Sequence, residues 1–394
     1  MTMKTAREGN HVDRMTAAIP LLLGAALVAA CAGTEGAAQP EPQEIAAELD
    51  RSLELPGVRV LTQNLYVGLD VGPIIAAPLD QIPFVVAEGW ADFLANRPAD
   101  RMAAIANEIA LVRPHLIGLQ EVTRAFEQFP SDTVLGNFTP NATDEVIDFL
   151  AVLLDELDRR GLDYRVASEQ LGTDIELPRF DGVVDGSPIF TDVRVKFSDV
   201  ILRRSDVPAT QLFAINYATA LPIPTIPGLF VRRNAVGVRA TVGGDSFRFV
   251  STHLEPLVPG LPDTSQPQLG QVAELIQLLA TQHDPQAATV LVGDFNSPAE
   301  SGTSYQALAG AGYTDVWTVR DDHDHPGFTC CQEVVLTSPQ SVLFERIDLV
   351  WTSNLTLSHP VLAFTIGDLP IFRTPSRPRL WPSDHAGVIA WVGF

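Results

Sequence analysis

Eight short apolar runs, rich in branched residues and spread along a chain of 394 residues, limit most narrowly how this sequence can fold. They are Val58–Leu65, Leu116–Leu119, Val200–Leu202, Val236–Val242, Phe247–Thr252, Thr289–Val292, Ile347–Trp351 and Ala386–Trp391. Runs of this length and composition read as strands. Between some of them the apolar period becomes that of a helix. Asp100–Val112 puts Met102, Ile105, Ala106, Ile109 and Val112 on one face and is closed by Arg113-Pro114. Helices are also expected over Thr143–Arg160, Pro267–Gln282 and Ser304–Ala309. Strands mixed with helices through one long stretch imply an α/β or α+β layered sandwich, with residues 57–394 as one domain.

Five stretches exceed what connections usually need: 66–96, 170–192, 217–231, 255–266 and 366–381. Long ordered loops often carry function. Tyr217–Val231 is almost wholly apolar and contains Pro222, Pro224 and Pro227. Two readings stay open for it: a hydrophobic lip that touches lipid or an apolar substrate, or a Pro-bent hairpin buried on its own domain.

Polar, metal-competent side chains recur where the runs end. Asn64 stands in Thr62-Gln63-Asn64-Leu65, Glu121 follows Leu119-Gln120, and His253 follows Ser251-Thr252. Asp294 and Asn296 stand in Gly293-Asp294-Phe295-Asn296, Asp348 follows Arg346-Ile347, and Ser383-Asp384-His385 precedes the last run. Carboxylates and imidazoles at strand ends can converge while the strand bodies stay apolar and hold them rigidly. Hydrolysis of a phosphoester needs such a set: a cation to neutralise phosphate, a group to activate water, and donors for developing charge.

In this order the six segments resemble the endonuclease/exonuclease/phosphatase superfamily, the DNase I-like fold. Its motifs are an early Asn, a later Gln-Glu, a Thr-His, a Gly-Asp-x-Asn, an Arg-x-Asp and a terminal Ser-Asp-His. The match spans residues 58–394. The resemblance implies a four-layer α/β/β/α sandwich with the site at one end. It further implies a metal-dependent phosphoesterase in which Glu121 is the principal Mg²⁺ ligand, Asn64 a nearby ligand or positioning group, and Asp384 part of the metal environment. Hard oxygen ligands suit Mg²⁺ or Mn²⁺ better than Zn²⁺. By the same resemblance Asp294 orients or deprotonates the attacking water, Asn296 donates to a phosphoryl oxygen and His253 contacts the phosphate. Asp348 holds His385 in one tautomer, and His385 acts as base or phosphate clamp.

Weaker candidates are Asp199, which loosely resembles the family's central Asp, and Arg232-Arg233-Asn234, either a phosphate-binding run or a solvated charge cluster. His323 and His325 stand in an acidic stretch that reads as a polar loop or a second metal site.

The N-terminus reads as an address. Lys4, Arg7 and Arg14 precede an apolar run, Ala17–Ala30, that is too short and Ala-rich for a stable membrane span. It ends Leu27-Val28-Ala29-Ala30-Cys31, which resembles the lipobox of bacterial lipoproteins. Residues 1–30 are then a signal peptide, Cys31 the lipidated first residue, and 31–56 a solvated tether; a plain secretory signal is the alternative. Cys330 and Cys331 are adjacent, as a vicinal disulfide or a buried thiol pair.

Members of the superfamily cleave nucleic acids, sphingomyelin, inositol phosphates and smaller phosphodiesters, so the substrate must be argued from charge and loops. A net charge of −22, from 26 Lys+Arg against 48 Asp+Glu, argues against a sequence-independent grip on DNA. No basic groove with interleaved aromatics is visible. The expectation is an exported, envelope-anchored monomer acting on a small or lipid-derived phosphoester. A secreted nuclease is the first alternative. A noncatalytic lipoprotein scaffold is the second, and it predicts eroded motifs where all eight residues are present.

Overall fold

The structure, a computed structural model, describes residues 57–393 apart from 224, 225, 227, 258–263, 283 and 321–325. The expected signal peptide, Cys31, the tether, His323 and His325 lie outside the described residues. The first half of the chain forms β1 (Val58–Asn64), α1 (Gly72–Ala76), α2 (Ile82–Ala95), α3 (Pro98–Val112), β2 (Leu116–Gln128), β3 (Asp144–Asp148), α4 (Phe149–Arg159), β4 (Tyr164–Val184) and β5 (Ser187–Arg204). There follow β6 (Ala209–Asn216), β7 (Leu221–Pro222), β8 (Phe230–Val231), β9 (Asn234–Val242), β10 (Asp245–His253), α5 (Ser265–Thr281) and β11 (Thr289–Asp294). The chain ends with α6 (Thr303–Gly310), β12 (Thr314–Asp315), α7 (Val316–Val319), β13 (Asp348–Ser353), β14 (Ser358–Ile366) and β15 (Gly387–Gly393).

Two sheets carry the fold. One has the order β14-β15-β1-β2-β5-β4, with β3 also on β2; the other has the order β12-β13-β11-β10-β9-β6. β1 and β2 are parallel, as are β10 and β11, and the remaining pairs in these sheets are antiparallel. Three apolar clusters separate four layers. Val60, Leu116, Ile201, Val238, Phe249, Val292 and Val388 fill the space between the sheets. Trp90, Phe93, Ile105, Ile109, Phe149 and Leu153 pack α2, α3 and α4 on the outer face of the first sheet. Val272, Leu275, Leu279 and Leu308 pack α5 and α6 on the second. The architecture is the expected α/β/β/α sandwich.

The inner faces change character along the strands. Side chains alternate across a strand with a period of two, so Val58 and Val60 share a face of β1 with Thr62 and Asn64, and Phe247 and Phe249 share one of β10 with Ser251 and His253. Val290 and Val292 are followed in the same way by Asp294 on β11. One end of the seam between the sheets is therefore polar. Just below that end Gln120 accepts from Thr62 at 3.2 Å and donates to Ser251 at 3.0 Å, joining the sheets. Gly118 makes this close approach possible, because a Cβ there would stand 2.6 Å from both Ser251 Oγ and Val292 Cγ2.

Several expected boundaries are corrected. The helix anticipated from Thr143 starts at Phe149: Asp148 caps it by accepting from Ala151 N at 3.0 Å, and residues 144–148 form strand β3 instead. Arg124 of β2 explains the strand, since it pairs with both Glu145 and Asp148 across the ladder. Residues 66–96 are not a loop but hold α1 and α2, and 170–192 is the far end of the long β4–β5 hairpin. The apolar 217–231 stretch makes a small hairpin, with Leu221 opposite Val231 and with Ile223 and Ile226 buried. Cys330 and Cys331 are joined as a vicinal disulfide.

Arg101 of α3 ties two motif segments together from behind. It is fully buried and donates to the carbonyls of Leu65 at 2.7 Å, Tyr66 at 2.8 Å and Pro382 at 3.0 Å. Those carbonyls flank Asn64 on one side and Ser383-Asp384-His385 on the other. In Arg101→Met the three acceptors lose their donor, at about 1–3 kcal/mol for each buried group. Urea unfolding is expected to show a loss of at least about 3 kcal/mol. Arg101→Lys should recover only part of it, because an ammonium does not reproduce the planar fork.

Candidate active site

Strand register builds the site. In the second sheet Asn234 lies opposite His253, His253 opposite Asp294, and Asp294 opposite Asp348, a row of four polar residues on adjacent strands. In the first sheet Asn64 pairs with Gln120, and the next residue, Glu121, sits at a break in the β2–β5 register with φ 54°. Such a bulge re-aims a side chain, and it turns Glu121 toward the second sheet. Gly293 is equally local in origin: its φ is 152°, and a Cβ there would lie 2.0 Å from the carbonyl oxygen of Thr252. Only glycine lets β11 run this close to β10 and deliver Asp294.

Asn64 is the bridge. Its Oδ1 accepts the Tyr66 amide at 2.9 Å, which fixes the orientation of the carboxamide. Its Nδ2 then donates to Glu121 at 3.3 Å and to Asp294 at 3.0 Å. As placed, Asn64 positions the two carboxylates. Glu121 also accepts the Val67 amide at 2.7 Å. Asp348 Oδ2 accepts from His385 Nδ1 at 2.8 Å, so Nε2 faces Asp294 at 3.8 Å and Asp384 at 3.9 Å. The Asn296 amide donates to the Leu254 carbonyl at 2.9 Å and contacts His253 Nε2 at 3.2 Å. His253 lies 3.5 Å from Asp294 and 3.0 Å from Arg233 Nη1.

The two imidazoles are driven to opposite states. Burial depresses His253 well below the ordinary histidine range, and Arg233 and His385 add to it. Burial alone would do the same to His385, but Asp348, Asp384 and Asp294 outweigh it and hold its pKa well above that range. Burial, with Asp348 adding, pushes Asp294 up to about 7. Burial, with Glu121 adding, pushes Asp384 up to about 7 against the opposing charge of His385. Divergent protonation of like groups in one cleft is the arrangement acid–base chemistry requires.

The donor set suits a hard divalent cation. Glu121, Asp199, Asp294, Asp348 and Asp384 interact at this end of the seam with Arg101, Arg233 and His385 as their cationic partners, five carboxylates against three cations. Buried oxygens of Asp199 and Asp348 have no hydrogen-bond partner. Carboxylate oxygens in excess of positive charge fit Mg²⁺ or Mn²⁺ rather than a thiophilic ion.

A cavity of about 150 Å³ opens beside these groups. Val67, Trp90, Leu177, Phe197, Ile223 and Ile226 form much of its wall, and Glu121, Arg233 and His253 stand where it meets the polar cluster. The apolar hairpin around Ile223 and Ile226 is thus both buried and part of this wall.

The model of the Endonuclease/Exonuclease/phosphatase family matches residues 61–385. The chain belongs to the endonuclease/exonuclease/phosphatase family. Its fold is shared with a family protein of Bacteroides thetaiotaomicron, at 16% identity and a TM-score of 0.50, over 85% of this chain and 94% of that one. A family protein of Leptotrichia buccalis is similar at 14% identity and a TM-score of 0.49, over 86% and 100% of the two chains. A mannosyl-6-phosphatase of Bacteroides thetaiotaomicron stands at 17% and 0.48, over 86% and 100%. Comparison with curated proteins gave no match.

All eight expected motif residues of this family member, Asn64, Glu121, His253, Asp294, Asn296, Asp348, Asp384 and His385, lie at the same end of the seam. Two weaker candidates join them. Asp199 is buried beside Arg233, Glu121 and Asp294. Arg233, for which a solvated charge cluster was the simpler expectation, is drawn inward by His253 and by Glu255, 3.4 Å away. Arg101 and Glu255 carry no motif; the sole signal for Glu255 is its place two residues after His253.

Removing the carboxylate that orients His385 should be visible directly. In Asp348→Asn the imidazolium loses its strongest stabilising partner, so its proton is expected to leave at lower pH than in the parent, read by NMR titration of the metal-free protein. Hydrolytic kcat should fall about 10²- to 10⁴-fold.

Proposed function

We propose that this phosphoesterase-family chain is a Mg²⁺-dependent hydrolase, with Mn²⁺ able to substitute, whose substrate joins a phosphoester to an apolar group, as in a lipid-derived phosphodiester. The observation that carries the reading is the apolar cavity beside the carboxylate and imidazole cluster. A headgroup phosphate at Arg233 and His253 would leave the adjoining substituent facing Trp90, Phe197 and Ile223, where removing its surface from water favours binding. Polynucleotides have no comparable apolar end, and the net charge of −22 opposes them.

Glu121 and Asp384, with Asn64 orienting Glu121, are the residues proposed to hold the cation. When bound, it would neutralise the phosphate and polarise the bond to be broken. Asp294, fixed by Asn64 and by the backbone N–H of Asn296 at 2.9 Å, is proposed to orient the attacking water and accept its proton. His385, kept charged by Asp348, then stabilises the phosphoryl oxygens as charge develops. Neutral His253, braced by Arg233, offers a further contact to the phosphate. Asn296 would exchange its contact with His253 for one to a phosphoryl oxygen.

The proposal is tested with the purified protein in Mg²⁺ against a long-chain choline phosphodiester, bis(p-nitrophenyl) phosphate and plasmid DNA. Cleavage of the lipid and the small diester is expected, with His385→Ala lowering both about 10²- to 10⁴-fold. Ile223→Asp should raise KM for the lipid about tenfold, equivalent to about 1.4 kcal/mol, and leave the small diester unchanged. Efficient plasmid nicking without lipid cleavage would make the protein a nuclease.

The N-terminal reading is part of the same proposal: export, with Cys31 lipidated and the catalytic region tethered outside the cytoplasm. Its support is the charged start, the apolar run and the lipobox-like ending. Labelled palmitate is expected to enter the parent protein in bacterial cells and to be lost in Cys31→Ser.

A further inference from the structure

A second group of carboxylates lies away from the cleft, where the turn after β2 meets the β4–β5 hairpin. Asp192 of β5 pairs with Gln128, seven residues along β2 from Glu121, or roughly 23 Å at the rise of a strand. Asp132, Glu176 and Asp192 each bring an oxygen within 4.8 Å of the others. Most of their oxygens are fully used. Asp192 accepts the hydroxyls of Ser131 and Thr133 and the amides of Asp132 at 2.7 Å and Thr133 at 3.2 Å. Glu176 Oε2 accepts the amides of Asn141 and Ala142, both at 2.7 Å. Asp132 Oδ2 accepts from Asn137 at 2.8 Å and Asn141 at 2.9 Å.

Two oxygens are left over. Asp132 Oδ1 and Glu176 Oε1 are buried with no hydrogen-bond partner, and the Glu176 residue is only 2% exposed. An unpaired carboxylate oxygen away from water is costly unless a cation or a proton meets it. Arg194, the cation acting on Glu176, does not fill the gap. Its guanidinium is committed to Asp174 at 2.7 Å and to the Ala142 carbonyl at 3.1 Å.

We propose that Asp132, Glu176 and Asp192 form a calcium site that ties the 131–142 turn to the β4–β5 hairpin. All donors are hard oxygens from three separate segments, and Ca²⁺ accepts about six to eight such oxygens, carboxylate and carbonyl alike, in a flexible geometry. Mg²⁺, which dehydrates reluctantly and keeps several waters, suits a group supplied by three protein carboxylates less well. The turn is already formed to receive the ion, since Ser131 N donates to the Phe190 carbonyl and Asn137 N to that of Asp132. The strand period gives the site a consequence. Ile175, Leu177 and Val193, the neighbours of Glu176 and Asp192 on the alternate face, line the apolar cavity. An ion here braces the cavity wall from behind.

The test uses the full chain carrying Glu121→Gln, so that calcium at the catalytic cluster does not contribute, stripped of metal and titrated with CaCl₂ by calorimetry and thermal unfolding. One Ca²⁺ is expected to bind, with the unfolding midpoint rising with its concentration as linkage requires. Adding Glu176→Gln should abolish both. Adding Asp132→Asn, at the less buried ligand, should weaken binding at least about tenfold, or about 1.4 kcal/mol, and serves if Glu176→Gln does not fold. Glu176→Gln in the parent should keep Mg²⁺-dependent cleavage of the small diester. The proposal is overturned if Glu121→Gln takes up no Ca²⁺, if both double variants bind as it does, or if Mg²⁺ binds the second site equally well. In the first case, unchanged stability of Glu176→Gln would identify a protonated Glu176 instead.

Discussion

The carboxamide of Asn64 holds one carboxylate from each sheet, Glu121 on its own and Asp294 on the other, and the rest of the site is arranged around that bridge. It can do so because its oxygen is committed to the Tyr66 amide, leaving both hydrogens on the nitrogen for the acids. A slide of one sheet over the other by a single residue would carry Asp294 about 3.3 Å away from Asn64 and break the bridge. The bridge and the Thr62–Gln120–Ser251 link beneath it resist such a slide, while the fully buried Arg101 fixes the end of β1 and the segment before β15 to each other. Rigidity of this kind is what a cluster of carboxylates needs, since like charges crowded in a buried place otherwise move apart; held together they bind protons more readily, as Asp294 and Asp384 do.

The same crowding has chemical value. His385 stays charged because three carboxylates surround it, and His253 stays neutral because it is buried, with Arg233 adding to the effect. One fold end thus provides an acid, a neutral donor or acceptor and several hard oxygen ligands within a few bond lengths. The apolar cavity adds what the polar cluster lacks, a surface that distinguishes one phosphoester from another by its non-reacting part. Its apolar walls come from α1, α2, the β4–β5 hairpin and the 217–231 stretch, which carry none of the eight motif residues.

Much of the framework was legible because its signals are local. Strand bodies such as Thr289–Val292 announce themselves by branched apolar residues, and helix α3 by its apolar face and terminal Pro114. The motif residues were legible through their position at strand ends. The failures have physical causes. Residues 143–148 have charged residues at 144, 145 and 148 that suit a helix start, yet Arg124 on β2 recruits Glu145 and Asp148 into a strand. Helix α2 gives a weak signal although Val86, Trp90 and Phe93 share a face, because its apolar residues continue around the helix and blur the period. The hairpin end lacks the branched apolar run of a strand, and its one local signal is Asp185-Gly186, a favoured two-residue turn between Val184 and Ser187. Arg233 and Asp199 were undervalued because a charge reveals its partner only when distant segments meet.

By itself the sequence determined the bodies of the central strands, helices α3, α5 and α6, the order of the motifs and the family, because each depends on side-chain type and spacing along the chain. Tertiary structure alone decided that Asn64 positions rather than merely accompanies the acids, that Arg233 faces His253, and that an apolar cavity adjoins the cleft. It alone brought Asp132, Glu176 and Asp192 together across 60 residues of chain, from position 132 to position 192. Such facts depend on register and burial between segments far apart in sequence, and the pairing of strands is what sets both.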